Sequence, residues 1–469
     1  MQMRLMIRGG LVVTADQVAP REVLIEGERT VGVVEPGSEP ARQFAAGADR
    51  VLEAEGRYVL PGGVDVHTHM EMPFGGTFSA DTFETGTRAA AWGGTTTIVD
   101  FAIQGKGQAL LQGLETWRSK AEGRCAVDYG FHMIVADVNP ASLAELPRLV
   151  EQGVSSFKLF MAYPGVFYST DGEILLAMQA AAGCGALIQM HAENGIAIDQ
   201  LVAQALARGE VEPRFHGSTR PAILEGEATH RAIQLAQVSR CPLYIVHLSA
   251  AEALSRVVDA RDHNQAVFAE TCPQYLFLSE ADLAREEFEG AKFVCSPPLR
   301  EAWHQKALWR GLLTEDLAVV ATDHCPFCFK EQKELGRDDF SKIPNGLPGV
   351  EHRLDLLHQG VLDGRLSLSR WVELVSTAPA RMFGLYPRKG ALAAGSDADL
   401  VIYDPRVERT LSARTHHMNV DYSCYEGRRV RGAAETVLLR GQVVLEGGAY
   451  RGRPGDGQFV PRGTCQYLN

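Results

Sequence analysis

Leu60-Pro61-Gly62-Gly63-Val64-Asp65-Val66-His67-Thr68-His69-Met70-Glu71-Met72-Pro73-Phe74 decides how the rest of the chain is read. A Pro-Gly-Gly turn leads into a short β-branched run, the composition of a buried strand. Side chains alternate along a strand, so His67 and His69 face one side and Thr68 the other. Two imidazoles on one rigid strand make half of a metal site. The ordinary alternative is two histidines packed on a half-buried strand, and residues further along discriminate between the two.

Outward from this strand, further strand-like runs follow at 95–100, 131–136, 156–160, 186–190, 243–247, 266–269 and 317–321. Stretches rich in Ala, Leu and Glu separate them, such as 225–238 and 251–261, and read as helices. With the first strand there are eight strand–helix units, which predicts a TIM-like (β/α)8 barrel of the α/β class. Both ends of the chain have a different texture. Residues 11–13, 22–25 and 30–34, then 399–403, 435–439 and 442–445, are short β-branched runs between turns. They predict a smaller β-sandwich domain built from both ends. The expected boundaries are 1–56 plus 390–450 for the sandwich, 57–389 for the metal-dependent catalytic barrel and 451–469 for a C-terminal tail. That tail is rich in Gly, Pro and Arg and reads as mobile or packed on another subunit. Residues 404–432 are less regular and read as an excursion of the β domain or a contact arm.

The 469 residues are 45% hydrophobic, enough for a large core, and carry a formal net charge of −12 with no basic cluster. This argues against nucleic acid and anionic membranes as partners. No apolar run of about 18 residues occurs, so no membrane span is expected, and the first residues lack the apolar stretch of a signal peptide. Nine scattered cysteines suit a reducing cytoplasm better than a disulfide framework. Cys325-Pro-Phe-Cys328 has the spacing of a redox or zinc pair, but no second pair follows; loop packing is its default reading.

In a barrel, chemistry sits at the C-terminal ends of the strands. His191 closes the run 186–190, His247 closes 243–246, and Asp323 follows 319–322. Lys158 sits inside Ser156-Phe-Lys-Leu-Phe160, where a charged amine is costly. Each alone has a structural reading: a buried histidine bonded to a neighbour, or an aspartate capping the next helix. With His67 and His69 they form a donor set. Four neutral imidazoles and a carboxylate suit zinc, with manganese, cobalt or iron as other occupants. They are too many for one tetrahedral zinc that keeps a position open for water, so two divalent ions sharing a bridging group are expected. An ammonium is only a donor and cannot bridge. A Lys158 that has reacted with CO2 to form a carbamate, N6-carboxylysine, is an anion with two oxygen donors.

Further motifs carry a family resemblance. They are Pro61-Gly-Gly-Val-Asp-Val-His-Thr-His-Met-Glu-Met-Pro-Phe-Gly-Gly76, Asp81-Thr-Phe-Glu-Thr-Gly86, Gly93-Gly-Thr-Thr-Thr-Ile-Val-Asp-Phe101, Ser156-Phe-Lys-Leu-Phe-Met-Ala-Tyr163, His191-Ala-Glu-Asn-Gly195, Cys295-Ser-Pro-Pro-Leu-Arg300, Asp323-His-Cys-Pro-Phe327, Asn345-Gly-Leu-Pro-Gly-Val-Glu351 and Asn419-Val-Asp-Tyr422. In this order the chain resembles the cyclic amidohydrolases of the dihydropyrimidinase and hydantoinase group, in the amidohydrolase superfamily. The His-x-His alone indicates only the superfamily; the Met-Glu-Met-Pro-Phe-Gly-Gly and Phe-Met-Ala-Tyr pieces are more specific.

The resemblance implies a barrel with a β-sandwich and a binuclear centre. One metal would be held by His67, His69 and Asp323, the other by His191 and His247, with carbamylated Lys158 between them. Tyr163, Ser296 and Asn345 would hold the amide and ureido groups of a small cyclic ureide. The implied reaction is hydrolytic ring opening of 5-substituted hydantoins or 5,6-dihydropyrimidines to N-carbamoyl amino acids, by a hydroxide shared between the two metals. Asp323 would move the proton and Tyr163 would help stabilise the oxyanion. Met72, Phe74, Phe160 and Phe167 are candidates to meet the ring substituent, or else plain core. A cytoplasmic homotetramer is the implied assembly. Glu71 stands where dihydroorotases carry an arginine for a substrate carboxylate, which disfavours that substrate class. Allantoinase is an alternative without support from Met70–Phe74. Non-catalytic relatives lose metal ligands, whereas this chain retains all six candidates. Pro164-Gly-Val-Phe167 leans the reading toward a bacterial hydantoinase that accepts bulky 5-substituents.

Overall fold

Eight parallel strands follow one another in chain order around a nearly closed barrel in the computed structural model, which describes residues 3–468. They are β1 (Gly63–Thr68), β2 (Thr95–Ile103), β3 (Asp128–Ile134), β4 (Ser156–Phe160), β5 (Leu187–His191), β6 (Leu243–Ile245), β7 (Val267–Thr271) and β8 (Val319–Val320). Every residue of β1 to β5 is buried, as expected for parallel strands covered by helices outside and packed side chains inside. The seam between β8 and β1 is closed by a bridge between Thr68 and His324. The buried Arg353 spans the same seam, its Nη1 donating to the carbonyls of Val64 (2.9 Å) and Val320 (3.0 Å).

All eight expected strands are present, with shifted ends. β6 stops at Ile245 because the backbone turns into the left-handed region at His247, φ +39°. β8 is only two residues long, whereas β7 continues past the expected 269 and takes in Glu270. Helices Ala222–Ser239 and Ala251–Asp262 cover the expected helical stretches and pack on each other outside the barrel. Local sequence starts several of the helices. Before Asp171–Gly183, Thr170 Oγ1 accepts from the Glu173 N–H while Glu173 accepts from the Thr170 N–H, a reciprocal cap that satisfies two orphan donors.

The chain ends build two further sheets. Arg29–Val34, Glu22–Glu26, Arg4–Arg8 and Arg50–Glu53 lie side by side in that order. A seven-stranded sheet joins Leu11–Val13 and Tyr58–Pro61 to Leu400–Thr410, Arg429–Leu439 and Gln442–Glu446. Leu5, Ile7, Val23 and Ile25 of one sheet pack against Val12, Val59, Leu400 and Leu438 of the other, making the sandwich. Tyr58–Pro61, on the barrel side of the sequence-derived boundary, is therefore a sandwich strand that runs directly into β1. The segment between Leu400–Thr410 and Arg429–Leu439 crosses to the barrel: Asn419 N–H donates to Asp81 (2.9 Å) and Asp421 accepts from the Phe329 and Lys330 N–H groups. It is an excursion of the β domain.

The tail corrects an expectation. Its described part lies across the N-terminal end of this chain's own barrel. Val460 N–H donates to the Tyr129 carbonyl (2.7 Å), Tyr129 N–H donates to the Gln458 carbonyl (2.9 Å), and Val460, Arg462 and Cys465 are buried. Beside it, Lys389 joins the two domains. Its ammonium contacts Asp128 at the start of β3, together with Asp397 (2.9 Å) and Asp399 (2.6 Å), and Arg440 also pairs with Asp128. Among the described residues, no helix is long and apolar enough to cross a membrane.

Candidate active site

The C-terminal ends of the barrel strands bring the sequence-selected residues together. His69, Lys158, Tyr163, His191, His247, Ser296, Asp323 and Asn345 line one cavity, with Met72, Phe74, Phe160 and Phe167 as its apolar wall. His67 lies directly beneath, fully buried. On β1 the alternation holds: His67 and His69 share one side, while Thr68 turns away and donates to Asp100 Oδ2 (2.8 Å). The two imidazoles pack on Phe101 of β2, with ring centroids at 4.7 and 4.9 Å.

His67 Nε2 and His69 Nε2 are 3.2 Å apart, and Asp323 Oδ1 lies 3.1 and 3.2 Å from them. Lys158 Nζ is 3.1 Å from His67 Nε2. The rings of His191 and His247 sit beside this group, 4.5 Å apart between centroids, and His247 is 5.4 Å from His67. A divalent metal fits this arrangement. The three ligand atoms of His67, His69 and Asp323 lie within 4.8 Å of one another. Burial pushes the His69 ring down to about 3 and the His247 ring well below the usual histidine value, so both are neutral and keep a lone pair. Among the described residues, His69 Nδ1 and His247 Nδ1 are buried without a hydrogen-bond partner.

Charge is distributed unevenly here. Burial opposes ionisation of Asp323, but His67, His69 and His247 outweigh it and hold the carboxyl well below the usual range. Burial pushes the Lys158 amine down to about 8, against the pull of Asp323 and Glu270. Burial and the nearby Glu193 raise the Tyr163 phenol, which therefore stays protonated. Asn345 Nδ2 donates to Ser296 Oγ (3.0 Å), tying the two polar residues of the opposite wall together. Three site residues, Tyr163, His247 and Asp323, have φ of +58°, +39° and +51°. Non-glycine residues adopt such angles at a cost of about 1–3 kcal/mol each, and such strain clusters where function demands a side-chain direction.

Two carboxylates escaped the sequence reading. Glu270 on β7 pairs with His67 Nδ1 and also accepts from Tyr244 Oη (2.9 Å) and the His247 N–H (3.1 Å). It orients the His67 ring through the outer hydrogen bond that metal-site histidines ordinarily make, and it anchors His247 through the backbone. Glu193 accepts at 2.7 Å from His191 Nε2. A signal existed for both: Glu270 follows the apolar run 266–269 as His191 follows 186–190, and Glu193 is two residues beyond His191. The loops behind the cavity are braced by charge. Arg300 donates to Glu225 (2.7 Å), which accepts from the Ser249 N–H (2.8 Å) two residues after His247. His324 pairs with Asp81 (3.0 Å) next to Asp323. Cys325 and Cys328 are unpaired thiols in loop packing, like the other cysteines.

The sequence model of the amidohydrolase family matches residues 58–443. A D-hydantoinase from Streptomyces coelicolor is 64% identical over 468 residues, covering 100% of each chain to the nearest per cent. A D-hydantoinase from Geobacillus stearothermophilus is 48% identical, covering 97% of this chain and 96% of its own. The crystal structure of a dihydropyrimidinase from Brevibacillus agri superposes with a TM-score of 0.95 at 48% identity, covering 98% of this chain and 99% of that one.

Proposed function

This chain belongs to the amidohydrolase family, and from that premise we propose that it opens the ring of 5-substituted hydantoins, giving N-carbamoyl amino acids, with 5,6-dihydropyrimidines as the sibling substrate class. The observation that carries this reading is the single cavity in which imidazoles, Lys158 and Asp323 face Tyr163, Ser296 and Asn345 across an aromatic wall. The D-hydantoinase name of the 64% identical relative supports substituents of D configuration.

His67, His69 and Asp323 would hold one divalent ion and His191 with His247 the other, zinc being favoured by the nitrogen-rich donor set. When bound, such ions supply water activation near neutral pH and polarise a carbonyl oxygen. Lys158 is suited to carbamylation: an amine pushed down to about 8 is partly neutral near neutral pH, and only the neutral amine adds to CO2. Asp323, held ionised, accepts the proton of the attacking water and returns it to the leaving ring nitrogen. Tyr163, held protonated, donates to the carbonyl oxygen as negative charge builds on it. Asn345 spends one N–H on Ser296, leaving its amide oxygen and second N–H for the ring's N–H and C=O edge. Phe74, Phe160 and Phe167 favour an aryl or other bulky apolar substituent. A cytoplasmic homotetramer is the proposed assembly, on the family resemblance.

Ring-opening rates of the zinc-loaded protein on D- and L-5-phenylhydantoin and on dihydrouracil test the proposal. D-5-phenylhydantoin is expected to open fastest, ahead of its enantiomer by about tenfold or more. Dihydrouracil as the best substrate would move the assignment to a dihydropyrimidinase. No turnover of any, with two metals bound, would overturn it in favour of allantoinase activity or a non-catalytic role.

A further inference from the structure

Behind the wall of the cavity formed by Ser296 and Asn345, a lysine is buried without a counter-charge among the described residues. Lys333 is fully inaccessible to solvent. Its ammonium donates to three backbone carbonyls: Val294 (2.9 Å), Pro344 (2.7 Å) and Gly346 (2.9 Å). The titratable groups that bear on it are the neutral thiols of Cys295, Cys325 and Cys424. An ammonium has three donors, and here all three are used. A buried charge without an anion is unfavourable, and burial pushes the Lys333 amine down to about 7; packing alone does not call for an amine here, since a methionine of similar shape would fill the space.

The three carbonyls are not a random set. Pro344 and Gly346 flank Asn345, and Val294 stands two residues before Ser296. The Gly346 N–H also donates to the Val294 carbonyl (3.0 Å), so the two segments are laced together at one point with the lysine at its centre. In front of that point, Asn345 Nδ2 meets Ser296 Oγ. The approach is close: a Cβ on Gly346, whose φ is +152°, would stand 2.2 Å from the Cys325 carbonyl oxygen.

We propose that Lys333 is a positioning residue, whose three-carbonyl clamp holds Ser296 and Asn345 in the spacing that reads the amide edge of the substrate. It acts through those two residues and touches neither substrate nor metal. This inference rests on the proposed substrate contacts of Asn345 and Ser296.

The test is a double-mutant cycle on the zinc-loaded protein, with D-5-phenylhydantoin as substrate and KM, kcat and bound metal read separately. Lys333→Met is expected to raise KM about tenfold or more, with kcat within about threefold and metal content as in the parent. Asn345→Ala is expected to raise KM by itself. In the Asn345→Ala background, Lys333→Met should then raise KM by clearly less than it does in the parent, because one of the two residues it positions is already gone. Full additivity of the two KM effects, or loss of kcat and metal together in Lys333→Met, overturns the clamp while leaving the substrate reading standing. A silent Asn345→Ala overturns both. Should Lys333→Met not fold, Lys333→Gln keeps two N–H donors and is run in the same cycle. An intermediate KM rise that shrinks with Asn345→Ala supports the clamp, and an unchanged KM overturns it.

Discussion

His67 and His69 act as a pair because a strand has a period of two, and this is the one part of the site that local geometry alone secures. Their chemistry depends on a residue far away in the chain: Glu270 reaches His67 Nδ1 across a separation of 203 residues. Glu270 also holds the His247 N–H and Tyr244, so it couples the two expected metal pairs. Glu270→Gln is expected to weaken metal binding about 10–100-fold, measured by competition with a chelator, while the fold, monitored by circular dichroism, stays intact. A variant that keeps parental metal affinity would show that Glu270 does not orient the ligands. Asp323 and Lys158 were legible for a different reason, since each is a charged residue where an apolar strand or its end should be. Glu270 offered the same signal, but with no pattern around it to distinguish a ligand's support from an ordinary cap.

At the scale of elements, strand existence was legible and strand ends were not. β6 and β8 end early because His247 and Asp323 take positive φ, a cost that only the assembled site explains. The tail shows the opposite failure. Its Gly-, Pro- and Arg-rich composition reads as mobile, yet the glycines are what let it approach the barrel: a Cβ on Gly457 would lie 1.9 Å from the Val127 carbonyl oxygen. Arg462 is buried with no carboxylate partner among the described residues, donating to the carbonyls of Phe131 (2.5 Å) and Phe383 (3.3 Å) and to Ser156 Oγ (2.9 Å). Ser156 in turn bonds His132, which also bonds the Val66 carbonyl beside His67. Arg462→Ala strands these acceptors and should cost about 2–3 kcal/mol. The expected readout is a lower urea midpoint with an unchanged slope. A shift below about 0.5 kcal/mol would mean that the tail is not structural.

For the whole molecule, the Lys389 cluster fastens the sandwich to the N-terminal end of the barrel. Burial opposes the charge on Lys389, but Asp399, Asp128 and Asp397 outweigh it and raise its value. Its contribution is therefore complete below the usual lysine value and is lost only as pH rises through the folded value. Burial opposes ionisation of Asp397, but Lys389 and Arg388 lower its value. Its contribution is present above the usual carboxylate range and lost as pH falls through the folded value. The Lys389–Asp397 pair is thus at full strength around neutral pH. Lys389→Met leaves buried carboxylates facing one another and should cost about 3–5 kcal/mol at pH 7. That deficit should narrow as pH falls toward 4 and the carboxylates take up protons. A deficit that stays constant between pH 7 and pH 4, by thermal or urea unfolding, would contradict this electrostatic account.

The sequence by itself determined the barrel, the joining of both ends into a second domain, and which histidines, lysine and aspartate stand as the candidate chemical groups. These follow from periodicity and from charged residues in apolar strands, both properties of short segments. Only the tertiary structure decided which groups Glu270, Glu193 and Lys333 contact, that the tail lies on its own barrel, and that Asp128, Asp397 and Asp399 surround a lysine. A carboxylate or ammonium in an isolated segment has no partner, and what it does is set by the oppositely charged or hydrogen-bonding groups that folding brings to it from hundreds of residues away.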